Sequence, residues 1–167
     1  MRYNKNYLLL FMIFCYMIPI YYVYYYYNKN SSLSSIICNE NCKHIILFFM
    51  ILMGIGTFLY EVERNDTLSI LFISLLLINT YCLILTNEKN ILHYVFAFFV
   101  FATILFFMIR HCYLRKCNNI LLLSLLLEIV LLVAMIVNIK GNIYYYEISY
   151  LLNFALPPLE RWCQTYE

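Results

Sequence analysis

One stretch constrains this chain more than any other: Ile120–Ile139, which reads ILLLSLLLEIVLLVAMIVNI. At a rise of about 1.5 Å per residue, a helix over it reaches about 30 Å, the thickness of a bilayer's hydrocarbon core. It is apolar almost throughout, with one carboxylate, Glu128, near its middle. Four or five similar stretches surround it. The chain is 65% hydrophobic and only 12% charged, against roughly 45–50% apolar and 25% charged residues in soluble domains. A soluble core cannot hide that much apolar surface, so lipid is the expected solvent. The predicted fold is all-α: a single polytopic membrane helix bundle with six transmembrane helices, the sixth short or incomplete.

The predicted spans are 7–27, 44–60, 67–86, 91–109, 120–139 and 143–159. The first has a charged lead, as a signal peptide does, but the apolar run is too long and lacks a small-residue cleavage site. It is expected to be an uncleaved span with a kink at Pro19, its run of tyrosines at the far interface. The second span is at the short end for crossing. It contains Gly54 and Gly56, whose spacing is not that of the close-packing G-x-x-x-G motif. The last apolar stretch, Ile143–Leu156, reaches only about 21 Å as a helix, and Pro157-Pro158 then forbids a regular helix. An extended Pro-Pro-Leu piece would just complete the crossing. The tail after it is either an interfacial end anchored by Trp162 or a span cut short by a changed reading frame.

Lysine and arginine in short loops set orientation. One side would carry Arg2, Lys5, Arg64, Arg110, Arg115, Lys116 and Arg161; the other would carry Lys29, Lys43, Lys89 and Lys140. This bias places both termini in the cytosol and the loop Asn28–Lys43 in the lumen or outside the cell. There Cys38 and Cys42 could form a disulfide, and Asn30 opens a glycosylation sequon. The seven cysteines show no C-x-x-C pair and no partner histidines, so no metal site is expected. A net charge of +2 without a basic run gives no reason to expect nucleic acid.

Ionisable and amide side chains inside a span default to functional candidates. Glu128, Asn79 and Asn153 all fall near mid-membrane by helical rise, and one polar cluster is expected of them. It would be either a proton-linked or headgroup-binding site or interhelical glue. A second cluster is expected at the lumenal surface, where His93 and Glu147 lie shallow in their spans beneath the loop carrying Ser34 and Ser35. An imidazole beside a carboxylate is a usable base; it is equally an interfacial ion pair. His44 and His111, at span ends, are expected to be solvated. No Walker loop, H-E-x-x-H or H-x-x-x-H is present, and no cofactor is implied.

The order of several short pieces resembles the six-span membrane family that includes the damage-regulated autophagy modulators and the Golgi factor of GPI-anchor lipid remodelling. Ser32-Leu33-Ser34-Ser35-Ile36 stands where that family carries a Ser-Ile-Ser-like lumenal signature, here without its proline. His93-Tyr94-Val95-Phe96-Ala97-Phe98-Phe99 resembles its histidine-led, phenylalanine-rich span, and Arg110-His111-Cys112-Tyr113-Leu114 the basic loop that follows. Glu147, in Tyr146-Glu147-Ile148-Ser149-Tyr150, opens the last span as the family's glutamate does. The resemblance covers about Ser31 to Asn153 and ends at Pro157-Pro158. It implies endomembrane residence and a role in lipid handling or membrane trafficking, without implying a reaction. Three functional classes follow: a non-enzymatic lipid-associated factor, a small transporter or channel subunit built on Glu128 and Asn79, and a structural membrane protein, for instance viral. The expected partners are membrane lipids, with self-association as an option.

Overall fold

The computed structural model describes residues 5–26, 32–38, 40–64, 66–115, 119–138 and 143–154. Among them are seven helices and no strand: α1 Lys5–Tyr26, α2 Leu33–Ile37, α3 Glu40–Arg64, α4 Thr67–Leu85, α5 Ile91–Arg115, α6 Asn119–Val137 and α7 Tyr144–Phe154. Helix is what such sequences must form in lipid, because every backbone N–H and C=O has to be satisfied within the segment. Five helices are long and apolar enough to cross a membrane: Tyr7–Tyr26, Cys42–Val62, Thr67–Leu85, Ile91–Leu114 and Asn119–Val137. Their outward faces expose large apolar side chains such as Phe14, Leu71, Phe106 and Leu123. That surface suits a lipid environment and would be a liability in water.

The second and fourth spans are longer than predicted. α3 runs through Glu61, expected in a turn, and α5 runs through the expected basic loop to Arg115. Pro19 lies inside α1, which continues on both sides of it. The turn between α4 and α5 is built by asparagines: the side chains of Asn87 and Asn90 accept from the amides of Lys89 and Leu92, both at 3.0 Å. Such local bonds are why asparagine favours turns.

The bundle is assembled from pairs. α1 packs extensively on α3, α4 on α5, and α6 on α7, while the α3–α4 seam is less extensive than the α1–α3 and α4–α5 contacts. One core cluster sits at the α2 end, with Ile20, Val23, Leu33, Ile46, Tyr144 and Ile148. A second fills the middle, around Leu76, Val100, Ile104, Met108, Met135 and Tyr150.

α7 is the shortest helix apart from α2, and a larger share of it is buried than of any of the five long helices. Its 11 residues reach about 16 Å, about half a hydrocarbon core. Yet Tyr144 and Tyr150 are fully buried, and Glu147 and Asn153 nearly so. It is tied to its neighbours by polar bonds. The Tyr16 hydroxyl of α1 donates to the Leu151 carbonyl at 2.7 Å, and the Tyr150 hydroxyl donates to the Phe101 carbonyl of α5 at 2.6 Å. Pro157-Pro158, the tail and the Lys140–Asn142 turn lie outside the described residues.

Candidate functional site: a clamped cap, a polar centre and an apolar interior

At one end of the bundle α2 lies across the ends of α4, α5 and α7. Ser32 caps it, accepting from the Ser35 amide at 3.2 Å. The first amide of α2, Leu33 N–H, donates to the Glu147 carboxylate, and the Ser34 amide and hydroxyl reach the same carboxylate. Glu147 therefore fills the donor-rich start of α2, where a negative charge is favoured. Ser35 donates to Glu88. At the other end of α2, the Cys38 sulphur lies 3.3 Å from the carbonyl oxygens of Ser34 and Leu83, 3.5 Å from that of Thr86, and 3.6 Å from His93 Nδ1. The His93 ring also bonds to the Thr86 and Leu83 carbonyls.

The expected surface cluster of His93, Glu147, Ser34 and Ser35 is thus brought to one end of the bundle, but not as a catalytic pair. Glu147 holds the start of α2 and His93 its end, so the five-residue helix separates them. Ser34 is committed to Glu147 and Ser35 to Glu88. Burial pushes the Cys38 thiol up to about 11, helped by the nearby Glu88 charge, the opposite of an activated nucleophile. Cys38 and Cys42, which could have formed a disulfide, are not joined in the structure: Cys42 is fully buried, and the Cys38 thiol is turned to carbonyls and to His93. Asn30 lies outside the described residues.

The mid-membrane cluster forms in part. Asn153 on α7 donates to the Glu128 carboxylate and to the Ser124 carbonyl, the latter at 2.8 Å, and Ser124 Oγ donates back to Asn153 Oδ1 at 2.9 Å. Glu128 is completely buried, and its Oε1 has no hydrogen-bond partner among the described residues. Asn79 does not join them. It stands half-buried on α4 and makes no hydrogen bond to Glu128 or Asn153. The physical reason is pairing: α6 packs on α7, so α7 takes up the polar side chains of α6, while α4 packs on α5.

The opposite end holds groups that loop-based reasoning assigned to solvent. Arg110 pairs with Asp66 at 3.1 Å, and Ser69 Oγ donates to Asp66 at 2.5 Å. Glu61 and His111 are buried, and His111 stacks on Phe107. The expectation that His111 is solvated is therefore corrected; His44 is exposed as expected. α3 and α5 extend past their apolar runs by one to two turns, which carries Glu61 and His111 into packed surroundings.

Between the two ends lies apolar space. A cavity of about 100 Å³ is lined by Cys15, Val23, Leu33, Met53, Leu83 and Phe101 among others; a second, of about 60 Å³, is lined by Leu9, Thr57, Glu61, Phe72, Thr103 and Phe107 among others. Tyr16, Met53, Leu76 and Phe154 border both. The walls come from α1, α3, α4, α5 and α7, and α2 roofs the larger cavity through Leu33, Ser34 and Ile37.

Comparisons with protein families, with curated proteins and with solved structures found nothing that matches this chain. Function must therefore be argued from the geometry. Among the described residues no three histidine, cysteine or acidic side chains converge to hold a metal. The arrangement is a bundle with a locked cap, one incompletely satisfied buried carboxyl and an apolar interior. Sequence reasoning missed Tyr16 and Tyr150, and the signal was available. A tyrosine far from the interface must find a hydrogen-bond partner inside the bundle.

Proposed function

We propose that this is a multi-pass membrane protein that handles lipid without catalysing a reaction, holding an apolar part of a lipid molecule inside its bundle. The observation that carries the reading is the pair of adjoining apolar cavities under α2. Apolar cavities of this order stay dry and take up apolar guests, and in a membrane the abundant apolar guest is lipid. The cap chemistry supports the same reading: serines, Cys38, His93 and Glu147 are spent on fixing α2 as a roof and not on activating a nucleophile. The resemblance to the six-span lipid-remodelling and autophagy-modulator family points the same way, and with it go endomembrane residence and cytosolic termini.

The test is retention of lipid. Protein purified in detergent and washed extensively is expected to keep lipid that native mass spectrometry or extraction detects. Cys15→Leu, which fills the larger cavity from α1, is expected to reduce that lipid several-fold while the protein stays monodisperse. Equal retention by both proteins, or none by either, would overturn the reading.

A second reading is favoured by one specific observation, the unpartnered Oε1 of buried Glu128. Buried carboxyls with spare hydrogen-bonding capacity are the usual seats of proton or ion coupling in membranes. In this reading the protein is a small transporter or channel subunit, and Glu128→Gln abolishes proton- or ion-driven flux in liposomes at unchanged expression. Flux equal to that of the unsubstituted protein would exclude it.

A further inference from the structure

On the outer face of the bundle, α3 and α4 enclose an open apolar groove of about 530 Å³. Ligand sites are typically clefts of about 300–1,000 Å³; the groove falls in that range, whereas the interior cavities have room only for part of a molecule. It follows the looser α3–α4 seam. Midway, the seam is closed by Leu77 resting on the bare backbone of Gly54, where an added Cβ would stand 2.7 Å from Leu77 Cδ1.

The groove is not separate from the interior. Met50 and Thr80 line both the groove and the larger cavity, and Leu77 lines both the groove and the smaller one. The partition at Met50 and Thr80 is thin and soft. The Thr80 hydroxyl is turned back to the Leu76 carbonyl at 2.8 Å, so little of Thr80 besides its methyl is free to block the seam. Met50 is half-buried and unbranched, with several rotatable bonds, so it can swing without moving backbone.

We infer that a lipid acyl chain reaches the interior laterally from the bilayer, through the α3–α4 groove and past Met50 as a gate. The inference rests on the lipid-handling reading and names the part of the lipid and its route. The occupant follows from the continuity of the two spaces. A helix of a second copy could cover the groove but could not thread a cavity of about 100 Å³; a flexible acyl chain can do both. The groove lining is apolar apart from Thr80 and the Tyr81 hydroxyl, which suits a chain and not a headgroup.

The experiment uses the full chain with photo-methionine in place of methionine, reconstituted into phosphatidylcholine vesicles and irradiated. Adducts are mapped by mass. Lipid adducts are expected at Met50, in the groove, and at Met53, which borders both interior cavities but not the groove. None is expected at Met108 and Met135, which are buried in the middle core and line no cavity described above. Thr80→Phe, which narrows the gate, is expected to lower the Met53 adduct several-fold and leave the Met50 adduct. Adducts at Met50 alone would overturn the route, because the chain then stops in the groove. Cross-links from Met50 to a second copy would overturn the choice of occupant. If washed protein retains lipid but Met53 is unlabelled, the route fails and the lipid-handling reading stands; if no lipid is retained, the reading itself fails.

Discussion

At the residue scale the polar centre makes unequal predictions for its members. Asn153 serves Glu128 and both the carbonyl and the hydroxyl of Ser124, whereas Glu128 makes a single bond and already has one oxygen unpartnered among the described residues. Glu128→Gln keeps an oxygen that Asn153 can donate to, so little stability is expected to be lost. Asn153→Leu strands two partners in apolar surroundings and is expected to cost about 1–3 kcal/mol, toward the lower end if the unfolded state in the membrane finds other partners. Thermal or denaturant unfolding in detergent ranks the two; a larger loss for Glu128→Gln would mean that the carboxyl has a role these bonds do not describe. Cys38 gives a chemical prediction. Only the thiolate is alkylated, and with the thiol pushed up to about 11 by burial the ionised fraction near pH 8 is on the order of one in a thousand. The rate of Cys38 alkylation is therefore expected to keep rising, about tenfold per pH unit, well past the point where an ordinary thiol levels off near 8.5. A plateau near pH 9, read by peptide mass, would show that the carbonyl and His93 contacts do not hold in solution.

At the element scale, α2 and α7 are understood together. The sequence marks five long apolar spans and gives α7 only as a short or incomplete sixth, its apolar stretch broken by Glu147 and Asn153. The structure makes α7 the inner element, because those same polar residues, with Tyr150, find partners on α2, α5 and α6. What was legible in the sequence is what apolar length and helical rise decide: the helical class, the five long apolar helices, and the gathering of Glu128 with Asn153 and of Glu147 with the Ser34 segment. What was not legible depends on which helices pair. Nothing in the spacing of Asn79 says that α4 turns to α5 and leaves α6 to α7, and nothing at Cys38 says that its thiol meets carbonyls from the end of α4 and not Cys42. The clamp itself is testable. Glu147→Ala leaves the Leu33 and Ser34 donors without their acceptor and is expected to loosen α2 from α7 at a local cost of about 1.5–3 kcal/mol. Hydrogen exchange of amides 33–38 should rise while α4 and α5 stay protected, with Glu147→Gln intermediate, since it retains one acceptor oxygen. Unchanged exchange over α2 would show that its apolar contacts, chiefly Leu33 and Ile36 in the core, suffice to hold it.

At the scale of the whole molecule, the polar contacts sort the turns onto two ends. α2, the 87–90 turn and the start of α7 are joined through Ser35 to Glu88, Cys38 to His93 and Leu33 to Glu147. The start of α4 and the last turns of α5 are joined at the other end through Asp66 and Arg110. Cation counts in short loops favour the Arg110 end for the cytosol, and we propose that orientation. Single cysteines at Lys89 and Tyr113, both exposed, report it directly. A membrane-impermeant maleimide is expected to reach the Tyr113 position from the cytosolic side and the Lys89 position only from the other. Labelling of both from one side would mean that α5 does not cross, and the bundle would then have to be re-threaded. The reverse pattern would keep the fold and invert the orientation. The same experiment with a tag after Glu167 bears on α7. From the α2 end, the described part of this helix reaches Phe154, one residue past Asn153, which meets Glu128. A cytosolic tag would require the chain beyond Phe154 to complete the crossing; a lumenal tag would require it to turn back at the depth of the polar centre. In the second case Glu128, Ser124 and Asn153 would lie beside a break in the last helix. Irregular backbone at that depth is tolerated only where protein or a water-filled cavity surrounds it, and Glu128→Gln would then be expected to impair folding as well as any flux.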